Sequence, residues 1–333
     1  MVDHVATISQ PTGPVMGPVA NHAAERRASS VLPGADFVPC RCGRSRSLSL
    51  PSARVTDART PPWRPTHSPT LSAEFATASF NHRQFPLQWI AEHRADTTIG
   101  VCIPAHNEAG TVAAIVGAIR TDLMEQRSIV DRVLVVDDHS QDGTAAAAAA
   151  AGAEVVSLAE DPPLPGKGGA MRCGMDNLDT DVVVFCDADI KEFHSRLVSG
   201  IIGPLLARPD LVMVKAAYER PGVLGDQGGR VTELCAKPLL RCLQPQLGWL
   251  SQPLAGETAV RRELVRDIPL PRGYGIEVAM LIEVARRFGP GSVAQCDVGT
   301  RIHRNRSLSD LARQADEVVA TVLGLSRRTQ TDP

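Results

Sequence analysis

Apolar residues gather along this chain in short unbroken runs that stop at polar clusters, and each run is followed by a stretch with helical spacing. Residues 98–103 (Thr-Ile-Gly-Val-Cys-Ile) predict a first strand ending in Pro104-Ala105-His106-Asn107-Glu108, with a helix over 111–120. Residues 132–136 predict a second strand ending in Asp137-Asp138-His139-Ser140, after which Asp142-Gly143 opens an alanine-rich helix to Ala151. A short strand is expected at 154–156, then a helix from Gly166 to Asn177, and a fully apolar strand, Val182-Val183-Val184-Phe185, running into Asp187-Ala188-Asp189. Beyond it the pattern predicts a helix over 195–208, a strand over 211–217 and a helix to about 243. An amphipathic helix follows (Val278, Leu281, Ile282, Ala285), then a strand from near 294 into 301–306, and a last helix over 308–323. Short apolar runs bounded by polar residues suit strands covered on both faces, and their alternation with helices indicates βαβ units and a mostly parallel sheet. Phe85, Leu87, Trp89 and Ile90 are expected to pack a short segment against the edge of the domain.

Residues 1–70 break this pattern. They are rich in Pro, Ser, Ala and Arg and hold neither a 3.6 nor a 2 period, so they are expected to form a disordered extension. The remainder, in a chain of 333 residues with 43% hydrophobic content, suffices for one large core or two small ones. A net charge of −2 points to no polyanionic partner such as nucleic acid. Of eight cysteines, Cys102, Cys173, Cys186, Cys235 and Cys296 sit in apolar or helical stretches as reduced thiols do, and Cys40-Arg41-Cys42 is too little for a zinc site. No spanning apolar run and no signal-peptide core stand out, so a soluble, cytoplasmic protein with no membrane contact is expected.

The chemistry gathers where strands end, which is where open α/β sheets bind ligands. Asp187 and Asp189, two hard oxygen donors spaced i, i+2, suit Mg²⁺ (or Mn²⁺) together with substrate phosphates, or a solvated turn. Pro165-Gly166-Lys167-Gly168-Gly169 opens a helix and offers backbone N–H groups and an ammonium to an anion, or is simply a turn. It lacks the spacing of a P-loop. Gly228-Gly229-Arg230-Val231-Thr232 reads either as a phosphate or carboxylate site or as a capped loop. Pro253-Leu254-Ala255-Gly256-Glu257 is expected as a loop under the site. His303 lies among Arg301, Arg304, Asn305 and Arg306, an anion-binding cluster in which it is a metal ligand or a surface residue.

In this order the motifs resemble the GT-A (Rossmann-like) fold of nucleotide-sugar glycosyltransferases. Residues 229–234, 252–257, 274–277 and 301–306 closely resemble the glucosyl-3-phosphoglycerate synthases of actinobacteria over about residues 80–323. The resemblance implies glucose transfer from UDP-glucose to the 2-hydroxyl of 3-phospho-D-glycerate, with retention; no residue stands out in the sequence as a covalent nucleophile, so a front-side attack aided by a leaving phosphate oxygen is expected. It divides the chain into a nucleotide-sugar half (71–225), an acceptor-binding and metal-completing half (226–325) and a tail (326–333). Pro104, Ala105, His106, Asn107 and Glu108 would border the uridine, and Asp138 would lie near the uracil. Lys167, Asp187, Ala188, Leu254, Tyr274, Gly275, Ile276, Glu277 and Arg301 would contact the donor. Of these, Lys167, Asp187 and Glu277, with Asp189, would be catalytic. Gly229, Arg230, Val231, Thr232 and Asn305 would hold the acceptor, and Asp189 and His303 a divalent metal. A homodimer is implied. Ala188 stands where the family often has serine, and Asp138 likewise. A mannosyl or other hexosyl transfer, to phosphoglycerate or a polyprenyl phosphate, and a non-catalytic sugar-nucleotide regulator are the competing readings. A nucleotidyltransferase is disfavoured because residues 104–108 carry no glycine-rich basic signature.

Overall fold

The computed structural model describes residues 78–158, 166–220, 229–302 and 307–331. The expected extension over 1–70, and with it Cys40 and Cys42, lies outside them, as do Pro165, Gly228 and 303–306.

Eight strands form one sheet: β1 (Ser79–Asn81), β2 (Ile99–Ala105), β3 (Arg132–Asp137), β4 (Glu154–Ser157), β5 (Val182–Phe185), β6 (Met213–Glu219), β7 (Thr258–Arg261) and β8 (Val293–Thr300). Their order is β1-β8-β6-β7-β5-β2-β3-β4. All neighbours are parallel except that β7 runs antiparallel to both β5 and β6. The strands from both expected halves therefore share one sheet, a Rossmann-like α/β arrangement. Strand order reverses between β2 and β5, which opens a crevice beyond their carboxyl ends.

Helices cover both faces, and the period-2 alternation of the strands assigns side chains to each. Val101, Ile103, Val133, Val135, Val182 and Val184 face α1 (Leu87–His93), α2 (Val112–Ile119), α3 (Thr144–Ala150) and α5 (Arg196–Ala207). Cys102, Leu134, Val136, Val183 and Phe185 face α4 (Lys167–Asn177), α6 (Lys237–Leu243), α7 (Arg262–Val265), α8 (Ile276–Phe288) and α9 (Leu308–Thr331). Each such buried aliphatic side chain contributes about 1.5–3 kcal/mol relative to exposure, which is why the unbroken Val-Val-Val-Phe run sits centrally. Phe85 and Ile90 pack into the first layer, as the sequence suggests. Cys102, Cys173, Cys186, Cys235 and Cys296 are free thiols; three are buried and two, Cys173 and Cys235, half-buried.

Three elements differ from expectation. Helix α8 is buried more completely than its amphipathic pattern predicts: every residue from Ile276 to Ala285, including Glu277 and Glu283, is buried, with α9 and β8 packed against the helix. Strand β7 continues the loop expected at 253–257. Arg261 within it is buried because its guanidinium donates to the carbonyls of Leu205 (2.6 Å) and Leu211 (2.8 Å), capping the end of α5. Helix α9 runs to Thr331, past the end expected at 323, and its buried stripe, Val318, Val322 and Leu325, extends beyond that point. No helix among the described residues is long and apolar enough to cross a membrane.

Candidate active site

A cleft of about 820 Å³ opens beyond the carboxyl ends of β2, β3 and β5. Its floor is a charge network, half-buried at Lys167, Asp187 and Asp189 and buried at Glu257, Glu277 and Arg301. The Lys167 ammonium, at the first turn of α4, reaches Asp187 Oδ1 and Glu277 Oε1, both at 2.6 Å. The Arg301 guanidinium, just past β8, donates through Nη2 to Asp187 Oδ2 (2.7 Å) and Asp189 Oδ1 (3.1 Å). Its Nε lies 3.0 Å from Glu257 Oε1, whose residue is wholly buried. That contact is an ion pair without hydrogen-bond alignment, so neither Glu257 oxygen has a hydrogen-bond partner among the described residues. Arg301 and Arg220 both lie against the Tyr218 ring, at 5.5 and 5.0 Å from its centroid, and Arg220 Nη2 donates to the phenol oxygen at 2.8 Å.

Burial alone would discharge these groups; their partners prevent it. Desolvation raises the Asp187 carboxyl, but Lys167 and Arg301 override it and hold it well below the usual carboxylate range. Desolvation likewise weakens the Lys167 ammonium, yet Asp187 and Glu277 keep it above the ordinary lysine value. Arg301 behaves the same way through Glu257, Tyr218, Asp187 and Asp189. The floor thus carries fixed charges of both signs in a water-poor site, where they act strongly on any charge that develops above them.

Glycines let the backbone close around this floor. A Cβ on Gly256 would stand 2.1–2.3 Å from the Asp187 carboxylate, so only glycine allows the 255–258 turn to pass beneath it. Gly168 has a different reason from the one its sequence suggests. A Cβ there would meet the carbonyls of Pro271 and Arg272, and the N–H of Gly169 already donates to Arg272 O at 3.1 Å. The N–H of Gly166 is taken by Asp138 Oδ2 at 2.8 Å. At this helix start the glycines serve close packing of the 271–273 loop, and Lys167 provides the charge.

The structure brings most expected residues to the cleft: Pro104, Ala105, His106, Glu108, Asp138, Lys167, Asp187, Ala188, Asp189, Leu254, Tyr274, Glu277 and Arg301 line it, with Gly229, Arg230, Val231 and Thr232. Asn107, Gly275 and Ile276 are not among its lining residues. Asn107, at φ 56°, ties two strand-end turns together by accepting from Gln141 N (2.8 Å), while its own N–H donates to Ser140 Oγ (2.9 Å). Ile276 is fully buried in the second core layer, and Gly275 is packed against Thr321 and Glu317 of α9. His303 and Asn305 lie outside the described residues.

Sequence reasoning missed Arg220 and one whole wall, made by Ser307, Asp310, Leu311, Arg313, Gln314, Glu317 and Val318 at the start of α9. Its signal was present as Asp310, Gln314 and Glu317, polar residues at i, i+4 and i+7 beside the apolar stripe. Glu317 Oε2 accepts from Tyr274 N at 2.5 Å, which fixes the loop before α8. Thr111 was also missed; its hydroxyl donates to Ala188 O at 2.6 Å and steadies the acidic turn.

A divalent cation fits the donor set here. Asp187 and Asp189 turn one oxygen each toward the same nitrogen of Arg301, so the two carboxylates already converge on a positive charge. Among the described residues no cluster of three or more His, Cys, Asp or Glu side chains would enclose a metal. Further oxygens from a substrate diphosphate, the usual company of Mg²⁺, are what such a half-set needs.

The family described as "Glycosyl transferase family 2" matches residues 100–268. Glucosyl-3-phosphoglycerate synthase of Mycobacterium tuberculosis is 41% identical over 242 residues, covering 69% of this chain and 74% of that protein. The one from Petrotoga mobilis is 37% identical, covering 74% and 79%. Among solved structures, the Mycobacterium tuberculosis glucosyl-3-phosphoglycerate synthase in complex with Mn²⁺, UDP-glucose and phosphoglyceric acid is similar, with TM-score 0.68 at 38% identity, covering 75% of this chain and 87% of that one. A mannosyl-3-phosphoglycerate synthase from Rubrobacter xylanophilus is similar too, with TM-score 0.73 at 40% identity, covering 77% and 83%.

Proposed function

We propose that this chain, which belongs to glycosyl transferase family 2 and within it to the glucosyl-3-phosphoglycerate synthases, moves glucose from UDP-glucose to the 2-hydroxyl of 3-phospho-D-glycerate and releases UDP. The observation that carries this reading is Asp187. Four stretches far apart in sequence meet around it: the Lys167 turn, the strand-end acids, Glu277 and Arg301. The Gly229–Thr232 turn lines the same cleft.

The uridine lies along Pro104–Glu108 and Asp138, at the exits of β2 and β3. Asp187 and Asp189 would hold a divalent cation, Mg²⁺ or Mn²⁺. When bound, it would supply Lewis-acid neutralisation of the diphosphate. Lys167 and Arg301 remain cationic at any working pH and face the same developing charge without reorganising. Arg230 and Thr232 hold the acceptor, and Arg220 adds a cation to their side of the cleft. The bond between the anomeric carbon and the diphosphate oxygen breaks as one from that carbon to the acceptor 2-oxygen forms on the same face. The hydroxyl proton passes to the departing phosphate oxygen. Positioning replaces a strong base in this scheme, and configuration is retained.

The similarity to a mannosyl-3-phosphoglycerate synthase supports a second reading, in which the donor is GDP-mannose. A grid of UDP-glucose, GDP-glucose, ADP-glucose and GDP-mannose against 3-phosphoglycerate, scored by product mass with and without EDTA, separates the two. Glucosyl product from UDP-glucose, lost with EDTA, is expected. Exclusive use of GDP-mannose would replace the donor assignment, and absence of product from every pair would sink the transfer reading.

A further inference from the structure

Lys215 is a buried lysine that the chemistry above does not use. It sits in β6 within an apolar run, is 1% exposed, and its ladder neighbours are Thr258 of β7 and Gln295 of β8. A lysine is almost never wholly buried unless something specific holds it. Its ammonium donates to Ala255 O (2.9 Å) and Thr258 Oγ1 (3.0 Å), and neither bond goes to a carboxylate. Both acceptors belong to the turn that carries Gly256 and Glu257. The main chain of β6 grips the same turn, since Ala216 N donates to Glu257 O at 3.0 Å. Gly256 is pressed against the Asp187 carboxylate, and Glu257 is the carboxylate nearest Arg301 Nε. The turn is therefore the seat on which Asp187 and Arg301 rest, and Lys215 fastens it from below.

We propose that Lys215 is a positioning residue of the transfer reaction: its ammonium fixes the 255–258 turn under Asp187 and Arg301 and places a buried positive charge beneath the acids of the cleft floor. It does not touch substrate. Its action passes through Gly256 to Asp187 and through Glu257 to Arg301. A methionine of similar length would fill the space but leave Ala255 O with the Thr258 hydroxyl alone, and the floor with one cation fewer.

The charged groups facing Lys215 are Glu277 from α8, Lys167 from α4, Glu257 from the turn and Asp187 from the end of β5. Burial dominates, and the ammonium titrates near 8 rather than at the ordinary lysine value of 10.5. Protonated Lys215 is the positioning form, so its contribution is present at neutral pH and fades as pH rises through about 8. A residue that merely fills space would show no such dependence.

The inference rests on the transfer reading above. Purified full-length protein and Lys215→Met are compared for kcat and both KM values from pH 7 to about 9.5, with Lys215→Gln carried through the same assays. At pH 7, kcat of Lys215→Met is expected to fall at least about tenfold with both KM values within about threefold. The gap should narrow as pH rises and the wild-type ammonium is lost. A folded Lys215→Met with wild-type kcat, or a loss that stays constant across pH, overturns the proposal. If the methionine variant does not fold, Lys215→Gln decides by the same criteria. If neither folds, Lys215 is a stability residue and the assignment falls. Wild-type protein without transfer activity would remove the reading beneath it, whereas failure of the variants alone removes only Lys215.

Discussion

The two ends of the central strands use the same residue types to opposite effect. At the amino end, Arg94 pairs with Asp131 at 2.7 Å and Arg132 with Glu154 at 2.5 Å, and Thr98 binds Asp181 at 2.8 Å. The acids there face water: Asp131 is 36% and Glu154 50% exposed. At the carboxyl end, Asp187 and Asp189 are 19% and 15% exposed and Glu257 not at all. Exposed pairs are screened and contribute about 0–1 kcal/mol, whereas desolvated charges must be matched almost completely. The amino end fastens strand starts. The carboxyl end stores charge for use.

Substitutions at each end should expose this asymmetry. Asp187→Asn removes the centre of the floor and is expected to lower kcat by roughly 100- to 1,000-fold, the range for losing one preorganised group. Steady-state kinetics on a variant with unchanged circular dichroism checks it, and a loss under about tenfold would break the comparison. Arg301→Met strands the buried Glu257 and should destabilise by about 3–5 kcal/mol in urea unfolding, beyond its effect on turnover. Adding Glu257→Gln should return part of that stability without returning activity. Gly256→Ala forces a methyl into the Asp187 carboxylate and should reduce kcat with little change in overall fold, read by the same two measurements. Arg132→Ala, at the other end, is expected to cost under about 1 kcal/mol and leave kcat within about twofold.

Acid and base sharpen the same contrast. The Asp187 carboxyl is depressed below its ordinary 3.8, so it stabilises the fold above that pH and loses this contribution as pH falls through its lower folded value. Lys215 is depressed from 10.5 to about 8, so the unfolded chain binds more protons between those values. Its burial penalty is full below about 8 and relieved as pH rises toward 10.5. The stability of wild type relative to Lys215→Met should therefore rise across that alkaline window; a difference in urea unfolding that stays constant would contradict the burial.

What could be read from the chain follows the physics of each segment. Strands β2, β3 and β5 were legible because an unbroken apolar run has few alternatives, and their polar exits marked the cleft. Strand β7 was not, because four residues ending in arginine carry no period, and only the tertiary contact with the end of α5 buries Arg261. The glycines after Gly166 read as an anion cradle because sequence cannot say which carbonyl, here that of Arg272, will occupy a helix start. Lys215 hid within an apolar run: in a strand, a lysine announces its face but not its partners. Helix α9 showed its apolar stripe, while the polar side that walls the cleft looked like any solvated face.

The claim on which all this depends is that the acids at the exit of β5 serve a divalent cation shared with the donor diphosphate. Titration of Mn²⁺ into the wild type and Asp189→Asn, each with UDP present, followed by calorimetry and electron paramagnetic resonance, tests it directly. Uptake of Mn²⁺ by the wild type and a loss of affinity of at least about tenfold in the variant is the expected result. Equal affinity in both proteins would contradict it.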